Sequence, residues 1–172
     1  MCCILSKPAG VQIPHIQVLE SMYIHNRDGI GFCTSSGKSW HGMSFYKFLS
    51  ELGKTDDSEE IIIHMRMATH GSVSVKNCHP FYDKEHNIWF AHNGVLPIRS
   101  TKDRTDSEIF FRDRFIPMLD AYDYDNSREL WDWVNVERGS SRFIFMRDGE
   151  VKRLGTWYEF AGCYFSNLNW QY

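Results

Sequence analysis

Apolar residues along the first half of the chain recur with the spacing of strands. Residues 2–6 and 61–68 run apolar or alternate, residues 31–35 and 39–42 do so on either side of a Ser35-Ser36-Gly37 turn, and residues 88–92 repeat the pattern. Helical spacing appears in 15–25 through Ile16, Leu19 and Tyr23, in 44–52, in 106–119 through Phe111, Phe115, Met118 and Leu119, and in 127–134. The tail returns to strand in SRFIFMR, EVKRLG and GCYFS. Strands, then helices, then strands again predict an α+β fold rather than a regular βαβ series. The most polar stretches, 54–60 and 120–126, read as loops, and no repeat or Pro/Gly-rich linker divides the chain, so one domain over 1–172 is expected.

Composition narrows the function classes. With 172 residues, 42% of them hydrophobic and 15% aromatic, the chain can bury a substantial core and is not a disordered segment. A formal charge of -3 comes with no basic stripe, so nucleic acid is not expected as a partner and small polar ligands fit better. No apolar run approaches the ~18 residues of a membrane span, and the N-terminus lacks the basic and apolar regions of a signal peptide, which predicts a cytoplasmic protein without membrane contact. The cysteines at 2, 3, 33, 78 and 163 contain no C-x-x-C pair. Neither a disulfide framework nor a zinc ribbon is expected, and the thiols should be free.

Candidate chemistry sits in a few stretches, each with a plain structural alternative. In EIIIHMRMATHG, period-two alternation puts Ile61, Ile63, Met65 and Met67 on one face and His64 and Arg66 on the other; Arg66 is either a solvated arginine on a half-exposed edge strand or a bidentate carboxylate clamp. Asn93-Gly94 in FAHNGVL is either a type I′ hairpin turn or a pair of donors, one side-chain amide and one unobstructed N–H, able to converge on an oxyanion. TDSEIFF has capping-box spacing from Thr105 to Glu108, with Asp106 either favouring the helix N-terminus or recognising an ammonium group. NRDGIGF is a polar turn or a loop that passes close to a ligand. Cys2 in MCCILSK is either an ordinary strand residue or the first residue of the mature protein.

Taken together and in order, the N-terminal Cys, N-x-D-G-x-G, H-x-R-x-A-T-H-G, N-x-H-P, H-N-G and D-S-E resemble the class II glutamine amidotransferases, the N-terminal-nucleophile glutaminases, from Cys2 to about Glu108. The resemblance implies a four-layer αββα sandwich of two antiparallel sheets between helices. It also implies that Cys2 is the nucleophile, that Arg66 and Thr69 hold the glutamine α-carboxylate, that Asn93 and Gly94 form the oxyanion hole, and that Asp106 pairs with the α-ammonium. His70 would lie beside the pocket, with Asn77, His79 and Pro80 on a loop shaping it. Met67, Cys3 and Phe81 depart from residues frequent in the family without removing a needed group. Once Met1 is removed, the Cys2 α-amine (reference pKa about 7.7–8.0) can take the proton of its own thiol (about 8.5), and no metal or organic cofactor is implied. L-glutamine is the expected substrate, and a separate synthetase or transferase subunit is the expected ammonia acceptor. Alternatives from other classes are a γ-glutamyl amide hydrolase on a larger substrate, a non-catalytic glutamine-binding module, and a metal protein using His64, His70, Cys78, His79 and His92, whose spacings do not resemble structural zinc patterns.

Overall fold

Two antiparallel sheets lie face to face in the structure, a computed structural model that describes residues 1–68 and 71–171. The first contains β1 (Cys3–Lys7), β2 (Ile30–Thr34), β3 (Ser39–Gly42), β4 (Ile61–Met65), β9 (Tyr158–Phe160) and β10 (Cys163–Phe165), in the order β3-β2-β4-β1-β10-β9. The second contains β5 (Phe81–Asp83), β6 (Ile88–Asn93), β7 (Arg142–Arg147) and β8 (Glu150–Leu154), in that order. Helices α1 (Ile16–His25) and α2 (Phe45–Leu52) cover the outer face of the first sheet. On the outer face of the second lie α3 (Asp106–Ile109), a π-helical segment (Phe110–Phe115), α4 (Ile116–Met118) and α5 (Arg128–Arg138). This is the αββα layering expected.

The period-two pattern sorts side chains among three apolar layers. From β1 and β4, Cys3, Leu5, Ile61, Ile63 and Met65 pack under α1 and α2, whereas Ile4 and Ile62 point into the layer between the sheets. From β6, Ile88 and Phe90 face the second helical layer, and Trp89 and Ala91 face the first sheet. A strand lying between two covered faces is buried throughout, which corrects one expectation: β4 is an interior strand with no exposed residue, not a half-exposed edge. It also ends at Met65, so Met67 does not continue the apolar face and is 43% exposed.

The helix expected over 106–119 forms, but its middle is π-helical. That segment buries Phe110, Phe111 and Phe115 together, and Phe110 stacks on Phe115 across five positions, the reach of an i→i+5 turn. Two short strands, β5 and β9, carry no readable alternation; all three residues of β9 are exposed.

One buried cation closes the end of β1. Lys7 is fully enclosed, and its ammonium donates to the carbonyls of Pro8 (2.9 Å), Asp57 (2.8 Å) and Glu59 (2.8 Å), satisfying all three of its N–H bonds. No helix among the described residues is long and apolar enough to cross a membrane.

Candidate active site

A cleft between residues of both sheets and the start of α3 is lined by Cys2, Arg66, Met67, His79, His92, Gly94, Thr105, Asp106 and Ser107. Strand parity explains how Cys2 reaches it. Cys3 faces the α1–α2 core and pairs with Met65, so Cys2, one residue earlier, turns the other way. Its Sγ lies 3.4 Å from both the N and the O of Met67. Burial raises the Cys2 thiol above its ordinary pKa, only partly offset by the Met67 backbone, the N-terminal charge and Arg66. Cys3 is enclosed in the core and pushed up to about 12, mainly by burial, which leaves it inert. The α-amine present belongs to Met1, whose nitrogen lies 3.0 Å from Met67 Sδ.

Arg66 is held by the loop that follows α1. Its N–H donates to Gly29 O (2.8 Å), its carbonyl accepts from Asp28 N (2.9 Å), and the Asp28 carboxylate accepts from Ala68 N (2.8 Å). Its guanidinium donates to Ser72 O (3.0 Å), which also receives Asn77 Nδ2 (2.9 Å). Only 4% exposed, Arg66 is a buried cation at the cleft wall and not a solvated surface residue. The glycines of NRDGIGF serve backbone approach: Gly31 packs so closely on the carbonyl of His79 that any Cβ would collide with it. The loop residues Asn77, His79 and Pro80 are all buried in the approach to β5, and His79 lines the cleft.

Asn93 ends β6 and Gly94 leaves it at φ +147°. No strand follows directly, so Asn-Gly is not a hairpin turn here. A Cβ on Gly94 would run into the Ser141 side chain. Asp106 opens α3 behind an N-cap in which Thr105 Oγ1 accepts from Glu108 N (3.2 Å); the Glu108 carboxylate turns to Arg104 instead of closing the box. Asp106 is 93% buried, taking its exposure of 7%, and accepts from Leu96 N (2.8 Å) and Ser107 N (2.9 Å). Cap and cleft roles are therefore compatible at this position. Thr69 and His70 lie outside the described residues.

Three buried histidines cluster here, His79 and His92 at the cleft wall and His64 behind them. His64 Nε2 is 3.0 Å from His79 Nδ1, which also receives the backbone N–H of His92 at 3.4 Å. An atom accepting from a backbone N–H is unprotonated, so His64 carries its proton on Nε2 and His79 is left with its own on Nε2. His92 Nδ1 pairs with Ser107 Oγ at 2.7 Å. Burial holds all three neutral: His64 is pushed down to about 3 and His92 to about 4, the latter partly restored by Asp106, while His79 falls well below the ordinary histidine value. Among the described residues no group of His, Cys, Asp and Glu side chains is arranged to hold a metal ion.

Comparison with known proteins places this geometry. The sequence model of the class-II glutamine amidotransferases matches residues 44–132. The chain belongs to that family. It is 32% identical over 105 residues to the probable glutamine amidotransferase DUG3 of Saccharomyces cerevisiae, covering 51% of this chain and 29% of the yeast protein. It is 32% identical over 85 residues to the amidophosphoribosyltransferase of Methanocaldococcus jannaschii, covering 45% of this chain and 18% of that one. Among solved structures, the glutamine phosphoribosylpyrophosphate amidotransferase of B. subtilis superimposes with a TM-score of 0.59 at 17% identity, over 96% of this chain and 41% of its own, and so shares the fold. The chain spans less than a third of the length of these curated relatives.

The amidotransferase cleft also draws on residues that motif reading misses. Ser107 joins Asp106 to His92. Ser166 Oγ lies 2.8 Å from both Asn93 Nδ2 and Ile4 N, and Asn167 Nδ2 donates to the carbonyl of Cys2 at 2.7 Å. These last two follow β10, outside the residues matched by the family, and GCYFSN has no spacing to mark them.

Proposed function

We propose that the chain hydrolyses the side-chain amide of L-glutamine through a Cys2 thioester. The observation that carries this reading is the single cleft in which Cys2, Arg66, Gly94 and Asp106 meet from four separate stretches of sequence. After Met1 is removed, the Cys2 α-amine takes the thiol proton and the thiolate attacks the amide carbon. A buried thiol whose pKa is raised needs such an adjacent base. The Gly94 N–H and the Asn93 amide stabilise the oxyanion, the ammonium of Cys2 returns its proton to the leaving nitrogen, and ammonia departs. Water, deprotonated by the same amine, then attacks the γ-glutamyl thioester; glutamate leaves and the thiol is restored. Arg66 and Asp106 read the α-carboxylate and α-ammonium, with Thr69 and His70 completing the pocket. No metal or cofactor takes part. Ammonia then passes to an acceptor enzyme, a reading supported by the similarity to the amidophosphoribosyltransferase of M. jannaschii. We place the reaction in the cytoplasm.

Intact-mass spectrometry combined with a glutaminase assay tests this. Protein lacking Met1 should release ammonia from glutamine and take one 6-diazo-5-oxonorleucine label, at Cys2. Full activity in protein whose mass still includes Met1, or a label on Cys3, would overturn the mechanism.

A further inference from the structure

Ser166 bridges the two sheets, joining the candidate nucleophile strand to the candidate oxyanion residue. It is fully enclosed and accepts the Ile4 N–H at 2.8 Å, while its own N–H donates to Ile4 O at 2.9 Å. Its Oγ also lies 2.8 Å from the carboxamide nitrogen of Asn93, and the carboxamide oxygen at the other end is buried with no donor. A hydroxyl already accepting from Ile4 has an O–H of its own to place, and a buried carbonyl oxygen needs a donor. Rotating the Asn93 amide by half a turn exchanges Oδ1 and Nδ2: the Ser166 O–H then donates to Oδ1, and Nδ2 takes the buried position that has no protein partner, leaving its N–H bonds for an acceptor on the substrate.

Resting on the glutaminase reading above, we infer that Ser166 is a positioning residue that fixes the Asn93 amide with its Nδ2 presented to the reacting oxygen. Strand parity agrees. Asn93 has the parity of Trp89 and Ala91, the β6 residues facing the first sheet, and Gly94, the next residue, lines the cleft with Cys2. Without the hydroxyl the amide loses its orienting partner and can present its oxygen, which repels an oxyanion. Asn167 anchors the neighbouring backbone by donating to Cys2 O, so the same turn of chain holds the nucleophile and the donor in register.

A double-mutant cycle on the full chain tests the assignment. Ser166→Ala should lower kcat for glutamine by about 10- to 100-fold, short of or equal to the loss of an oxyanion donor, with KM changed less than about 2-fold because ground-state contacts are intact. Ser166→Thr should restore most of kcat. In an Asn93→Ala background, Ser166→Ala should have almost no further effect on kcat, since the group it orients is gone. If Ser166→Ala does not fold, Ser166→Cys, nearly isosteric and a weak hydrogen bonder, enters the same cycle. Additive losses in the cycle, or a lowered melting temperature with unchanged kcat, would overturn the role of Ser166 alone. Wild-type protein lacking Met1 that does not turn over glutamine would overturn the glutaminase reading and this inference with it.

Discussion

Acidifying the protein from pH 7.5 to pH 5.5 should remove about 3 kcal/mol of folding stability through His64 and His92, with His79 adding to the loss. In the unfolded chain each has a pKa near 6.5, so at pH 5.5 it gains roughly RT ln(1 + 10), or about 1.4 kcal/mol, from protonation. In the fold, burial pushes His64 down to about 3 and His92 to about 4, so neither takes up a proton at pH 5.5, and His79, also pushed well below its ordinary value, contributes in the same direction. Stability is therefore full above about pH 6.5 and drains as pH falls toward the folded-state values. His41, also pushed down by burial, adds in the same direction. Carboxylates act in a separate window: Glu59, held at about 2 by hydrogen bonds from Ser36, Asp56 and Thr34 against its burial, loses its contribution only below about pH 4.5. Urea unfolding followed by tryptophan fluorescence at pH 7.5, 6.5 and 5.5 measures the fall, which is a large part of the 5–15 kcal/mol typical of a domain. His64→Gln should shrink it by about 1.4 kcal/mol. A stability that stays flat over this range, or a slope that His64→Gln leaves unchanged, would refute the neutral-histidine argument.

Three further outcomes follow from the same geometry. Arg66→Ala and Asp106→Ala should each lower kcat/KM for free glutamine by about 2–4 kcal/mol, since each leaves a ligand charge unpaired, and N-acetyl or C-amidated glutamine should be poor substrates in steady-state assays; equal turnover of blocked and free glutamine would point to a larger γ-glutamyl substrate. Gly94→Ala should destabilise the fold by about 1–3 kcal/mol in chemical denaturation, because φ +147° is strained for any side chain and the added Cβ meets Ser141. Lys7→Met should cost on the order of 3 kcal/mol in the same measurement by removing three charge-assisted hydrogen bonds and leaving the Glu59 carbonyl without a donor; a melting temperature equal to wild type would show that the enclosed ammonium is dispensable.

What could be read from sequence divides along physical lines. Period-two and period-3.6 patterns are local, so β1 to β4, β6 to β8, β10 and the principal helices were legible, with most ends shifted by a residue or two, β4 ending three residues early and α5 running four residues further than expected. That β4 is interior is a property of its neighbours β1 and β2, which no window on residues 61–68 contains. The π-helical middle of the 106–118 rod is set by where three phenylalanines can be buried, again a tertiary matter. In the cleft, Cys2, Arg66, Gly94 and Asp106 announce themselves through motif spacing and do converge. His92 was visible as part of H-N-G and as a candidate metal ligand, and its partner Ser107 only as part of D-S-E; their hydrogen bond is a contact between sheet and helix. Ser166 and Asn167 are ordinary polar residues whose importance lies in what they touch.

The place of β10 in the first sheet also orders events in time. The hydrogen bond between Ile4 and Ser166 joins positions 162 residues apart, and the one between Asn167 and Cys2 joins positions 165 apart. Cys2 is synthesised well before Ser166 and Asn167, so β1 emerges with both edges unpaired and waits first for β4 and then for β10. Until β10 docks, Asn93 has no hydroxyl to orient it and the Cys2 backbone has no anchor. Contacts of such long sequence separation form late and slowly, so an incomplete chain carries the thiol without the surroundings that would direct it at an amide. On the glutaminase reading, synthesis through Asn167 is a checkpoint on reactivity.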